Sequence, residues 1–234
     1  MNETSPHADV LLIGASRGLG LAIADEYVKR GSRVVATVRS AQRTELHDLH
    51  EGSVGHLEIE HIDINIPADI DALRGRLASR SFDLLFVNAG VANEASETIG
   101  DVSTEEFTRV MVTNALSPMR VVEGLSGLVA STGTIAVMSS GQGSVANNER
   151  GGFEVYRGTK AALNMFMRSY AARRGDDPRT LLLMAPGWVK TRLGGPDARL
   201  EISDSIPHLV DVIDAQRGHG GLQYLDYRGE TVAW

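Results

Sequence analysis

The feature that most restricts the fold is an unbroken alternation of short apolar runs with helical patterns along all 234 residues. Residues 10–13 form a run of valine, leucine and isoleucine, closed by Gly14. Leu19, Ala22, Ile23 and Tyr27 then recur at the spacing of one helix face, and Gly31 ends that helix. Residues 33–38, 57–62, 82–87, 134–138, 180–185 and 222–225 read as further strands. Residues 44–49, 68–77 and 161–172 read as helices, as does the segment carrying Ile206, Leu209, Val210 and Ile213. A long helical pattern starts near Ser103, where Glu106 three residues on predicts a capping box. Strand followed by helix, repeated, implies parallel strands with crossover helices. Such strands are covered on both faces and therefore read as continuous apolar runs, as these do. The expectation is one α/β domain over residues 9–234, a doubly wound parallel sheet with helices on both faces, preceded by a flexible tail over residues 1–8. Sheets of this kind bind ligands beyond the carboxyl ends of their strands, so the residues just after each strand are the candidates for function.

Composition excludes several chemistries. The formal charge of -7 argues against nonspecific binding to nucleic acid or to an anionic membrane surface. No cysteine is present, which removes disulfides, thiolate catalysis and cysteine-ligated metals. Residues 1–9 are polar, without the apolar run of a signal peptide. No stretch approaches the roughly 18 apolar residues of a membrane span. A cytoplasmic protein is expected. His47, His50, His56 and His61 are close in sequence but lack the H-E-x-x-H form, and no metal site is expected.

The segment Gly14-Ala15-Ser16-Arg17-Gly18-Leu19-Gly20 joins the first strand to the first helix. Glycines there allow a tight turn and close approach of a pyrophosphate, and the helix N-terminus offers unpaired N–H groups. The spacing is G-x-x-x-G-x-G rather than G-x-G-x-x-G. Sites for NAD usually carry an acid about 20 residues onward to hold the ribose 2′-hydroxyl. Here the second strand ends Ala36-Thr37-Val38-Arg39 and supplies no acid. Arg39 and Arg17 offer two guanidinium groups instead, which suit a 2′-phosphate. NADP(H) is the expected cofactor and NAD(H) the second choice.

Five further motifs follow in order: Asp63-Ile64 after the third strand, Asn88-Ala89-Gly90 after the fourth, Ser139-Ser140 after the fifth, Tyr156-Arg157-Gly158-Thr159-Lys160 opening the next helix, and Pro186-Gly187-Trp188-Val189-Lys190-Thr191 after the sixth. Asn114 lies within the long helix. With the glycine loop, these resemble the short-chain dehydrogenase/reductase family over nearly the whole chain. Leu193-Gly194-Gly195-Pro196-Asp197-Ala198 and Tyr224-Leu225-Asp226-Tyr227-Arg228-Gly229 resemble its C-factor and Sniffer-like carbonyl reductase branch. The resemblance implies a Rossmann-type fold and NADP(H)-dependent exchange of hydride between nicotinamide and a small carbonyl or alcohol. It implies that Gly14, Ser16, Arg17, Gly18, Leu19 and Gly20 hold the pyrophosphate and ribose. Asp63 and Ile64 would flank the adenine. Asn88, Ala89, Gly90, Pro186, Gly187 and Val189 would line the cofactor, with Thr191 on the carboxamide or a phosphate. Asn114, Ser140, Tyr156 and Lys160 would be the catalytic four, Tyr156 and Lys160 also touching the cofactor. Association as a homodimer or homotetramer through the helices after Asn114 and Tyr156 is implied as well.

The chemistry asks for these residue types. Reduction of a carbonyl needs a proton delivered to oxygen, and an unperturbed tyrosine has a pKa of about 10. Lys160, four residues after Tyr156, projects from the same helix face. Its ammonium is expected to favour the phenolate and lower the phenol's pKa. Ser140 can hold the substrate oxygen, and Asn114 can help hold a proton-relaying water. Ser139 is the alternative serine; the resemblance favours Ser140, because Gly141-Gln142-Gly143 after it matches the family's S-x-x-G frame. Residues 141–155 and 190–205 are expected to be loops over the substrate. A chain of this type could also act as a cofactor-binding sensor or signalling protein with little turnover, because a fold does not fix a function.

Overall fold

The structure, a computed structural model, describes residues 8–234. Apart from Ala8, the expected flexible tail lies outside the described residues. Ala8 is buried, and its carbonyl accepts a hydrogen bond from Arg33 N at 3.0 Å.

Seven strands form one all-parallel sheet: β1 (Asp9–Ile13), β2 (Arg33–Val38), β3 (Leu57–His61), β4 (Phe82–Val87), β5 (Val129–Met138), β6 (Thr180–Ala185) and β7 (Gly221–Asp226). Their spatial order is β3-β2-β1-β4-β5-β6-β7. The helices are α1 (Gly18–Lys29), α2 (Glu45–Gly52), α3 (Pro67–Arg76), α4 (Thr104–Met111), α5 (Ser117–Leu125), α6 (Glu154–Arg173) and α7 (Ile202–Ala215). This is the doubly wound, Rossmann-type architecture that the alternation of elements predicts.

Side chains alternate across a strand, so each strand feeds two cores. On β1, Leu11 and Ile13 join one cluster, with Leu73, Val121, Leu125, Leu163, Met167 and Tyr170 from α3, α5 and α6. Val10 and Leu12 join the other, with Ile23, Tyr27, Ile206, Leu209 and Ile213 from α1 and α7. The residues read as one face of the last helix are all buried there. The order of strands reverses between β1 and β4, and the crevice outside their carboxyl ends is the natural ligand site of such a sheet.

Two expectations need correction. The long helix is not continuous. Between α4 and α5 the backbone widens into one π turn, Val112–Leu116, in which Ser117 N donates to the carbonyl of Val112 five residues back. Pro118 explains the widening: it has no N–H to close the ordinary helical bond to the Asn114 carbonyl, and π turns insert where the regular ladder cannot close. At the start of α4, Ser103 Oγ accepts from Glu106 N at 3.1 Å, as a cap should. Only half of the capping box forms, because the Glu106 carboxylate turns to Arg109 at 2.7 Å.

Candidate active site

The loop after β1 is shaped by what cannot fit beside it. Gly14 has φ +91°, and a side chain on it would begin 2.8 Å from Ala89 Cβ. A side chain on Gly20 would begin 2.1 Å from the Gly14 carbonyl oxygen and 2.5 Å from Asn88 Nδ2. Asn88 Nδ2 donates to that carbonyl at 2.7 Å, and Thr37 Oγ1 accepts from Gly14 N at 2.9 Å. Asn88 therefore holds the loop rather than simply lining its mouth. Arg17 is the residue before the first turn of α1, and no side chain caps that turn. The N-terminus of α1 thus presents its N–H groups at the crevice, the arrangement that suits an anionic group. Gly20→Ala is expected to abolish nucleotide binding and lower the melting temperature, measurable by titration and thermal unfolding, because neither the Gly14 carbonyl nor Asn88 can move without opening the loop.

Arg17 and Arg39 are both exposed and enter no ion pair among the described residues. Arg43, a few residues on, is engaged by Asp48 and by Glu51 at 2.8 Å. The first two guanidinium groups are thus unengaged, while the third is held by carboxylates. Ile64 is buried. Asp63 Oδ1 accepts from Asn65 N at 2.9 Å, forming a tight turn after β3. Asn65, not singled out by any motif, ties this turn to Thr113 at 3.3 Å and Ser117 at 2.8 Å, on either side of Asn114. Thr191 leans on the glycine loop from the opposite wall: a side chain on Gly18 would begin 3.9 Å from its Cγ2. Pro186 accepts from Ser205 Oγ at 2.6 Å, and Gly187 has φ +82° against Leu200 and Tyr227.

Asn114, at the centre of the π turn, is fully buried. Its Oδ1 accepts from Val91 N, and its Nδ2 donates to Val91 O, both at 2.8 Å, and to Thr159 Oγ1 at 3.0 Å. A side chain on Gly90 would begin 3.4 Å from Asn114 Oδ1 and 3.6 Å from Lys160 Nζ. The loop after β4, the π turn and α6 therefore converge on one point. Asn114→Ala leaves two backbone groups of the half-buried Val91 without their partner. An unfolding titration should show a loss of about 1–3 kcal/mol.

Lys160 and Tyr156 share α6. Lys160 Nζ lies 5.9 Å from the centre of the Tyr156 ring and donates to the Met138 carbonyl at 2.9 Å. Burial pushes the Tyr156 phenol up to about 12, offset in part by the Ser140 hydroxyl beside it. Burial also pushes the Lys160 ammonium down to about 8. The expected lowering of the phenol by Lys160 is therefore not met in this arrangement: desolvation dominates, and the lysine is directed to a backbone carbonyl. Between about 8 and its ordinary value of 10.5 Lys160 is protonated in the unfolded chain but not in the folded one. Stability from this group must therefore rise with pH across that window. Denaturant titrations should show wild type gaining on Lys160→Met as pH rises through it.

The two serines separate cleanly. Ser139 is buried, and its Oγ donates inward to Asn164 Oδ1 at 2.6 Å. Ser140 Oγ accepts from Gln142 N at 3.2 Å and is the hydroxyl next to Tyr156. The first loop is shorter than the expected residues 141–155: one helical turn fills Gly141–Gly143, α6 begins at Glu154, and only residues 144–153 between them are irregular. The second loop is shorter than residues 190–205: α7 begins at Ile202, and Ser205 is already buried within it. Of the clustered histidines, His47 accepts from Thr44 N at 3.1 Å, His50 lies beside Leu57 O and His56 beside Ser32 O. Sequence reasoning missed Thr37, Asn65, Thr159 and Asn164, whose partners are set by tertiary structure alone. Among the described residues no helix is long and apolar enough to cross a membrane.

Comparison with known proteins agrees with this fold. The family model for short chain dehydrogenases matches residues 8–199. A short-chain dehydrogenase/reductase structure from Burkholderia multivorans with bound NADP superposes with a TM-score of 0.96 at 59% identity, over 98% of this chain and 100% of that one. A carbonyl reductase from Pseudomonas aeruginosa in complex with NADP gives a TM-score of 0.91 at 34% identity, covering 97% and 100%. The C-signal protein of Myxococcus xanthus is 38% identical over 154 residues, 65% of this chain and 92% of that protein. A matching family model over most of the chain, the sheet order and the relatives agree: this chain belongs to the short-chain dehydrogenase family.

Proposed function

We propose that this protein is an NADP(H)-dependent oxidoreductase that interconverts a small carbonyl compound and its alcohol, with Tyr156 as the general acid and base. The observation that carries the reading is the convergence of Asn114, Lys160, Tyr156 and Ser140 beside the glycine loop, from the π turn, α6 and the segment after β5. The crevice fits the cofactor. Gly14 and Gly20 leave room only for backbone, α1 offers an uncapped N-terminus, and Arg17 and Arg39 have charge to spare for a 2′-phosphate. Bound there, the nicotinamide supplies the hydride.

The side chains supply the proton and the alignment. With its phenol near 12, Tyr156 is a neutral donor at physiological pH and can give its proton to a carbonyl oxygen that the Ser140 hydroxyl holds. Lys160, near 8, can release and recover a proton close to neutrality, which suits it to recharging the tyrosine. Asn114 fixes the Val91 backbone and Thr159, and so keeps the wall behind Lys160 in place.

The 38% identity to C-signal supports a second reading, a nucleotide-binding signalling protein with little turnover. Paired fluorescence titrations with NADPH and NADH, followed by an aldehyde and ketone panel read at the nicotinamide absorbance, test both. NADPH preference with turnover is the expected result. Binding without turnover favours the signalling reading, and binding of neither nucleotide removes both.

Association through α5 and α6 belongs to the same proposal. Leu116, just before α5, and Met165 and Phe166 on α6 are large apolar side chains left at the surface. Sedimentation should give a dimer or tetramer for wild type and a smaller species for Phe166→Asp.

A further inference from the structure

One buried hydroxyl beside the four proposed catalytic residues has no role in the account above. Tyr224, on β7 at the edge of the sheet, is almost fully buried. Its hydroxyl donates to the backbone carbonyl of Ser140. It also sits beside Ser139 and Asn164, whose hydrogen bonding opposes the rise that burial imposes on the Tyr224 phenol. Ser139 is bonded to Asn164, and Asn164 Nδ2 donates to the Gly143 carbonyl at 3.3 Å. Residues 139–143 are thus gripped from their inner side by β7 and α6.

The grip continues outward through the end of the chain. The Tyr224 ring packs on Trp234 with centroids 5.5 Å apart. Trp234 is covered on its other contact by the Arg168 guanidinium, 4.6 Å from the ring centre. The Trp234 backbone oxygen accepts from Ala146 N at 3.0 Å, inside the loop expected to cover the substrate. Val232 N donates to the Tyr224 carbonyl at 2.9 Å, so residues 230–234 fold back along β7 to reach that loop.

We propose that Tyr224 is a positioning residue for the Ser140 hydroxyl and that Trp234 completes the latch by tying Tyr224 to the loop at Ala146. The inference rests on the reading of Ser140 as the group that holds the substrate oxygen. A serine hydroxyl stands on a single carbon, so its place is set by its own backbone and one rotatable bond. The Tyr224 bond fixes the peptide plane that follows Ser140, and the Gln142 N–H fixes the oxygen itself. Alignment at a reacting oxygen is steeply rewarded, and small misplacement from a distant change lowers the rate.

Tyr224→Phe keeps the ring on Trp234 and removes only the hydroxyl. With para-nitrobenzaldehyde as probe, kcat is expected to fall about tenfold, the worth of one well-placed hydrogen bond, with KM and NADPH affinity unchanged. In Trp234→Ala, hydrogen exchange at the amides of residues 141–146 should accelerate while NADPH affinity holds. Equal kcat in Tyr224→Phe and wild type overturns the proposal. So does a joint fall in kcat and NADPH affinity, which marks a role in the whole fold instead. Where the wild type does not turn over this aldehyde, exchange decides alone. Faster exchange over residues 141–146 in both variants supports the latch, and unchanged exchange overturns it.

Discussion

Tyr156→Phe should lower kcat by about 10²- to 10⁴-fold, the usual worth of general acid–base help, with the fold and the binding of NADPH retained. The ring keeps its place on α6, and Lys160 Nζ keeps its bond to the Met138 carbonyl. What disappears is the one neutral donor that burial holds near 12 beside the Ser140 hydroxyl. Single-turnover kinetics, with NADPH titrated in parallel, separate a lost proton donor from a damaged site. Wild-type kcat in this variant would remove Tyr156 as the acid. If the protein acts instead as a nucleotide-binding signal, the variant should retain its biological effect, so the same substitution distinguishes the two readings.

The second large effect is expected from the double variant Arg17→Ala, Arg39→Ala. Hydrogen bonds to charged groups contribute about 1.5–3 kcal/mol each where solvent is excluded, and less at an exposed site. NADPH affinity should therefore fall by about a hundredfold, while NADH affinity barely changes. Raising the salt concentration should weaken NADPH binding to wild type more than to the variant, because exposed charges are screened. Arg43 provides an internal control, since it is already held by Asp48 and Glu51. Full NADPH preference in the double variant would show that the 2′-phosphate is recognised elsewhere.

The strands were legible wherever the chain is apolar on both faces. Residues 33–38, 82–87 and 180–185 emerge with the bounds read from the sequence. The fifth strand begins at Val129, earlier than residue 134: Ala130, Ser131, Thr132 and Gly133 carry little apolar signal and bulge out of the ladder between Val129, opposite Phe82, and Thr134, opposite Leu84. The break in the long helix was hidden for a different reason. Apolar periodicity runs through residues 104–125, and only the missing N–H of Pro118 marks the point at which Asn114 is turned inward.

The same division holds at the candidate site. The glycine loop could be read from its place between a strand and a helix, and Asn114, Ser140, Tyr156 and Lys160 from their resemblance to the motifs of the family. The protonation of the pair could not, because it depends on burial: Tyr156 is raised and Lys160 lowered by surroundings that no spacing records. Ser139 and Ser140 are equivalent in a linear reading, and become different once Asn164, 25 residues away from Ser139, takes one of them inward. Tyr224 reaches Ser140 across 84 residues. Local order along this chain was enough to determine the alternation of strands and helices and the doubly wound sheet, and the family motifs named the residues proposed to do the chemistry. Tertiary structure alone decided which of those groups are desolvated and what each one touches, because desolvation and contact belong to the packed chain and not to any segment of it.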